Sequence, residues 1–291
     1  CFSFSMYLVE KIRNNEKILL VSPHTLLPSG KTVYDAFFTN KPEGGYDDSE
    51  FQAYCEEMLK DPDLPYVNNE NNGTGKPGAP VYTHALDLFL TLCRQMINTG
   101  RIYTFNATHV NNHGSFLSPV EMTNLCTEIL QPTSPPSYKY NSKIHANELN
   151  DGEVSFCQLG GLVMSPTVTQ EDLPRITYWM LRFQEAVFNT SEYSKISFSH
   201  KQKARRNIGI GLVNYQYLLV REVYSKYPET EWVQKVAEVT HEWYEAIQFN
   251  LIKANIQLAK ELGPCELADD SKYSKGIFPI DHYHPTKLTD Y

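Results

Sequence analysis

The sequence has no apolar run approaching 18 residues, and its best candidates, such as Leu86 to Leu92, are short and interrupted. A membrane-spanning helix is excluded, because the bilayer core demands about 20 consecutive apolar residues. Cysteine is sparse: six in 291 residues, at positions 1, 55, 93, 126, 157 and 265, without Cys-x-x-Cys or Cys/His zinc spacing. A disulfide scaffold is excluded, and a reducing, cytoplasmic setting is the expectation. Any special cysteine is then special for reactivity. A basic face is missing too, since 26 Lys and Arg against 34 Asp and Glu leave a formal charge of -8. Binding to nucleic acid is not expected, although nucleotides stay open, because backbone N–H groups at helix starts can hold phosphates. No internal repeat and no secretory leader pattern occur. The chain begins at Cys1 and stops in polar sequence, Thr286 to Tyr291, which reads as a partial sequence.

What is present points to a folded α/β chain. The 12% aromatic content supplies more apolar area than a disordered segment carries, and the length suits one large domain or two ordinary ones. Apolar periodicity predicts helices over 7–20, 48–60, 82–99 and 230–262, with Gly100 and Gly263-Pro264 as stops. Thr169 with Asp172 forms a capping-box start for a further helix to about Asn189. Residues 101–106 and 153–157 alternate like strands, whereas 61–80, 107–123 and 131–150 read as loops, the first and last as insertions. Strands and helices alternate, which argues for α/β rather than a bundle.

Several motifs are weak. Gly209-Ile-Gly211 resembles a dinucleotide fingerprint, but Asn214 stands at the third glycine position and no acidic residue follows at the right interval, so these read as packing glycines. His109 and His113 have metal-pair spacing, yet their Asn, Gly and Ser surroundings read as loop and the zincin glutamate is missing. Lys201 to Arg206 reads as a solvated basic turn.

Asn124-Leu-Cys126-Thr-Glu128 is more informative. In an extended backbone, alternate side chains share a face, so amide, thiol and carboxylate would point together. A neighbouring carboxylate raises a thiol's pKa and makes it a poor anionic nucleophile. The trio suits sulfur acting as a carrier of hydrogen atoms. Cys157 is a second cysteine aimed at a strand terminus, and Arg205 to Val213 follows at a domain-scale interval.

With these blocks in place, the chain resembles the large (alpha) chain of class I ribonucleotide reductases. The likeness rests on Asn124-Leu-Cys-Thr-Glu-Ile129, Gly152-Glu-Val with Cys157, and Arg205 to Val213. It extends through Thr99-Gly-Arg-Ile-Tyr103, Tyr34-Asp-Ala-Phe-Phe38, Glu245-Ala-Ile-Gln248, Leu258-Ala-Lys-Glu261 and Lys275-Gly-Ile-Phe-Pro-Ile-Asp281, collinear from about Leu20 to Asp281. The resemblance implies part of a ten-stranded α/β barrel of two half-barrels with a central finger loop. Residues 1–291 would form a partial catalytic barrel domain, with the N-terminal regulatory domain and the C-terminal part lying outside the sequence.

The resemblance also implies roles. Cys126 would be the transient thiyl radical that takes the 3′ hydrogen of the ribose. Glu128 would accept the 3′-hydroxyl proton, and Asn124 would hydrogen-bond the sugar. Cys157 would be one of two thiols that reduce the 2′ position and leave as a disulfide. The segment itself would bind no metal. A metal or radical cofactor on a small (beta) subunit, ATP and dNTP effectors, thioredoxin or glutaredoxin, and a second large chain are the implied companions. The family's upstream partner of Cys157, its paired tyrosines, its phosphate-binding turn after the second half-barrel and its C-terminal cysteine pair have no counterpart here. Two other readings stand beside this one: a non-catalytic scaffold piece of a split reductase, and a thiolate hydrolase pairing Cys126 with His109 or His113, for which no base-orienting residue is identifiable.

Overall fold

The computed structural model describes residues 2–41, 45–67, 79–143, 146–191 and 204–282. The chain divides into two compact units: one runs to Thr133 and adds Asp270–Phe278, the other runs from Ser134 to Asp269 and adds the residues from Pro279 on.

In the first unit β1 (Phe2–Phe4) pairs in parallel with β4 (Thr104–Asn106). Between them lie α1 (Met6–Arg13), β2 (Lys17–Leu20), α2 (Val33–Phe37), α3 (Ser49–Met58), β3 (Val81–His84) and α4 (Ala85–Thr99). The helix expected over 7–20 stops at Arg13. Asn15 adopts φ +52, which ends the helical path, and Lys17–Leu20 turns into a strand antiparallel to β3. The same pairing explains why the helix expected from 82 begins at Ala85: the preceding residues are spent on β3. Gly100, at φ +62, stops α4 as expected. Tyr7, Leu8, Ile18, Leu19, Cys55, Leu64 and Ala85 form a core cluster. Beside it, the buried Lys11 ammonium is neutralised by Glu16 at 2.7 Å and Glu56 at 2.6 Å.

Residues 107–123 are not all loop. Ala107–His113 form α5, capped by the Asn106 side chain, which accepts from the His109 N–H at 3.1 Å. The asparagines that made this stretch look like loop, Asn111 and Asn112, spend their side chains on the backbone of Val120 and Tyr46. Of the expected insertion at 61–80, residues 68–78 lie outside the described residues; 61–67 are turns and a bridge from Tyr66 to Tyr82.

The second unit opens with β5 (Ser134–Asn141) antiparallel to β6 (Ala146–Glu153), where a loop was expected. Its exposed tyrosines, Tyr138 and Tyr140, belong to a polar hairpin with no apolar alternation to announce it. The strand expected over 153–157 is displaced: β6 ends at Glu153, residues 154–157 are irregular, and β7 is Gln158–Val163. A parallel β-α-β unit follows, as an α/β chain requires. α6 (Leu173–Thr190) crosses from β7 to β8 (Ile208–Val213), in register from Gln158↔Ile208 to Val163↔Val213. Thr169 and Asp172 make the expected capping box ahead of α6, and Pro174 sits in its first turn, where no N–H is missed.

α7 (Tyr215–Leu219) and α8 (Trp232–Leu262) complete the unit. Leu162, Met164, Leu173, Leu218, Trp243 and Ile247 form its main core, extended by Leu181, Ala254 and Leu258. The glycines of β8 lie mid-strand and open no phosphate-binding turn. The described residues contain four two-stranded sheets and no closed barrel.

Candidate functional site

The segment carrying Asn124, Cys126 and Glu128 is anchored before it is shaped. Asn111, on α5, is buried, and its amide serves the backbone of Val120 in both directions: Nδ2 donates to Val120 O at 3.1 Å, and Oδ1 accepts from Val120 N at 2.7 Å. The same Nδ2 donates to Ala107 O at 3.0 Å. At the C-terminal end of α5 the buried Lys272 ammonium donates to the carbonyls of Asn111 (2.7 Å) and Asn112 (2.6 Å), where helix carbonyls lack partners. Burial holds this amine below the usual lysine range. Asp270 accepts from the Ser118 N–H and hydroxyl.

One residue past Val120, Glu121 accepts from the Tyr34 hydroxyl at 3.2 Å. Burial raises the Glu121 carboxyl above its ordinary range. Burial and the adjacent carboxylate push the Tyr34 phenol up to about 12.

The loop itself closes on a neck. Thr123 and Leu130 form a bridge, and the Thr123 hydroxyl donates to Ile129 O at 3.0 Å. Asn124 Oδ1 accepts from Ile129 N at 3.0 Å, and Thr127 N donates to Asn124 O at 3.2 Å across a tight turn, with Thr127 at φ +67. The extended conformation expected for 124–128 is therefore corrected. Asn124 bonds the returning backbone and folds the segment into a turn, so strand alternation cannot align the trio. Asn124, Cys126 and Glu128 share one short loop and are all exposed, with Leu125 at 84%.

Cys157 belongs to the second unit and is half-buried. It lies just before β7, not at a strand's end. Glu153, at the end of β6, receives a bidentate ion pair from Arg205, 2.5 Å to Nε and 2.9 Å to Nη2, with the two side chains 12% and 6% exposed. Gln158 N donates to Asn207 O at 3.1 Å, extending the β7–β8 ladder backward to the residue after Cys157. Arg206 pairs with Glu185 at 2.6 Å and lies over the Phe188 ring. The solvated basic turn expected at Lys201 to Arg206 is thus corrected for its last two members, which carry buried or half-buried ion pairs; 201–203 lie outside the described residues. Gly160, Gly161 and Gly209 are packing glycines, with 2.4, 3.0 and 2.9 Å between an added Cβ and its nearest neighbour, but Gly211 has room. At Gly209 that neighbour is Cys157 Sγ.

His109 and His113 do lie on a helix, contrary to the loop reading, with rings stacked 5.3 Å apart. Among the described residues no group of three His, Cys, Asp or Glu side chains could hold a metal. Sequence reasoning read Asn111 as loop, Glu153 as part of a family block and Gly209 as a packing glycine, and missed what each one touches: Val120, Arg205 and Cys157.

The family described as ribonucleotide reductase, barrel domain, matches residues 3–290, and the chain belongs to it, which gives it membership in an α/β barrel family. Curated relatives sharpen the kinship. The chain is 32% identical to the ribonucleoside-diphosphate reductase subunit alpha of Haemophilus influenzae, over 80% of this chain and 29% of that protein. It is 29% identical to the subunit alpha of Enterobacteria phage T4, over 95% of this chain and 32% of the relative. The likeness to the ribonucleoside-diphosphate reductase 1 subunit alpha of Escherichia coli is also 29%, over 94% and 31% respectively. The chain therefore spans less than a third of the length of these relatives.

Proposed function

We propose that the chain contributes the radical-bearing and one reducing cysteine to a ribonucleotide reductase large subunit, which converts ribonucleoside diphosphates to deoxyribonucleotides. The observation that carries this reading is the match of residues 3–290 to the ribonucleotide reductase barrel domain, with Asn124, Cys126 and Glu128 on one pinned loop. The whole chain belongs to the catalytic barrel domain, ten strands in two half-barrels, and the turn at Asn124–Thr127 is the tip of its central finger loop. A metal or radical cofactor on the small subunit supplies the oxidising equivalent.

Each residue then has a defined task. Cys126 sulfur takes the ribose 3′ hydrogen atom and later returns it. Glu128 accepts the 3′-hydroxyl proton, and the Asn124 amide, whose Oδ1 is engaged in the loop, offers its NH2 to the sugar. Cys157 gives one of the two reducing thiols, and the resulting disulfide is re-reduced by exchange with thioredoxin or glutaredoxin. ATP and dNTP effectors, a second large chain and a cytoplasmic setting complete the reading. No helix among the described residues is long and apolar enough to cross a membrane.

The exposure of the trio favours one further reading, a non-catalytic scaffold or assembly piece of a split reductase. The test replaces Cys126 by Ser, and separately Cys157 by Ser, in the complete subunit assayed with its small subunit and a dithiol reductant. Deoxynucleotide formation falls to background in both. Appreciable turnover with Cys126→Ser refutes the radical role, and co-expression with the flanking portions that restores no activity leaves the scaffold.

A further inference from the structure

The assignment of Cys157 raises the question of what fixes its sulfur, because residues 154–157 belong to no strand. Two fixings bracket the run: the Glu153–Arg205 ion pair on one side and the Gln158 N to Asn207 O hydrogen bond on the other. They fix the backbone, and the thiol donates to Gln158 O at 3.9 Å, a long contact that does not by itself select one rotamer. Gly209 bears on that choice. A Cβ placed there would stand 2.9 Å from Cys157 Sγ and 3.0 Å from Leu159 Cδ2.

The two contacts are unequal. Leu159 is 69% exposed, and its terminal methyl can swing into solvent. The cysteine has one rotor and a short arm held to a pinned backbone, so its sulfur can yield only by leaving its place.

We propose that Gly209 is a positioning residue for the Cys157 thiol, its missing side chain being the space that the sulfur occupies. The inference rests on the functional reading for its significance, but its geometry concerns this chain alone. It also gives the Gly-x-Gly run of β8 a task other than nucleotide binding: its first glycine leaves room for a sulfur atom.

The experiment alkylates the 291-residue chain with iodoacetamide and follows Cys157 and Cys126 by peptide mass spectrometry across pH. Gly209→Ala is expected to change the Cys157 rate by at least about threefold, since thiol reactivity follows exposure and local charge, with Cys126 unchanged. An unchanged Cys157 rate and pH profile in a folded Gly209→Ala chain overturns the proposal. Leu159→Ala with Gly209→Ala serves as a control: return to the original rate would assign the effect to the leucine and also overturn it.

If Gly209→Ala does not fold, Cys157→Ala in the same background decides. Removing the sulfur is expected to restore most of the lost Tm, whereas additive losses refute the coupling. In the complete reductase, Gly209→Ala is expected to lower kcat with KM little changed. Failure of the two readings is distinguishable: turnover retained by Cys157→Ser removes the catalytic role, while the alkylation result stands or falls separately.

Discussion

Cys126 and Cys157 are held in opposite ways. Cys126 rides on an exposed turn closed by the Thr127 N to Asn124 O bond and anchored at and behind the neck: Thr123 and Asn124 bonding to Ile129, then Glu121 to Tyr34, then Asn111 to Val120. Cys157 is half-buried on a short irregular run, clamped on both sides by a buried ion pair and a ladder bond, with Gly209 beneath its sulfur. A loop anchored at its root with an exposed tip presents that tip to a substrate or another part of a larger protein. A sulfur seated against a strand has its direction set locally. This division suits the proposed chemistry, in which one sulfur must reach a sugar and the other must meet a partner thiol in a fixed geometry.

The contrast can be broken at three places. The largest effect is expected for Arg205→Ala, which leaves the Glu153 carboxylate buried and unpaired. Urea unfolding should show a loss of roughly 3–5 kcal/mol, and Cys157 should label faster while Cys126 does not. A loss confined to stability, with Cys157 labelling unchanged, would separate the ion pair from the thiol.

Next comes Asn111→Ala, which strands both backbone groups of Val120 at a cost of about 2–4 kcal/mol. Hydrogen exchange at Val120 and through the 121–130 loop should accelerate, with the β7–β8 amides unaffected. Acceleration of both would erase the distinction between the two regions.

The smallest effect is a pH dependence. Because burial raises the Glu121 carboxyl, its favourable contribution is present below the unfolded value of about 4.3 and is lost as pH rises through the folded value. Urea unfolding between pH 4 and 7 should therefore show wild type losing stability relative to Glu121→Gln as pH rises. Parallel curves would mean that the carboxylate does not feel its surroundings.

The parts legible in the sequence are those whose cause is local. The α8 helix declares itself through Trp243, Ile247, Ala254 and Leu258, all buried, and α6 through Thr169 and Asp172. Gly100 needs only its own φ. What was not legible depends on distant partners. Asn111 reads as a loop residue until Val120, nine positions on, arrives to use its amide. Arg205 reads as solvated until Glu153 is brought to it from 52 residues away. The trio's positions follow from the family resemblance, but their conformation does not, because Asn124 bonds to Ile129 on the returning side of its own loop. The β5–β6 hairpin has backbone pairing without the apolar alternation by which strands are recognised.

The amide of Asn111 behaves as a peptide unit placed at right angles to the chain, offering one donor and one acceptor to a single residue. Chemical near-neighbours cannot imitate it: aspartate would set a negative oxygen against the Val120 carbonyl, and glutamine would carry the same group one methylene too far. The root of the loop that carries Cys126 is thereby tied to a spelling of one amino acid out of twenty.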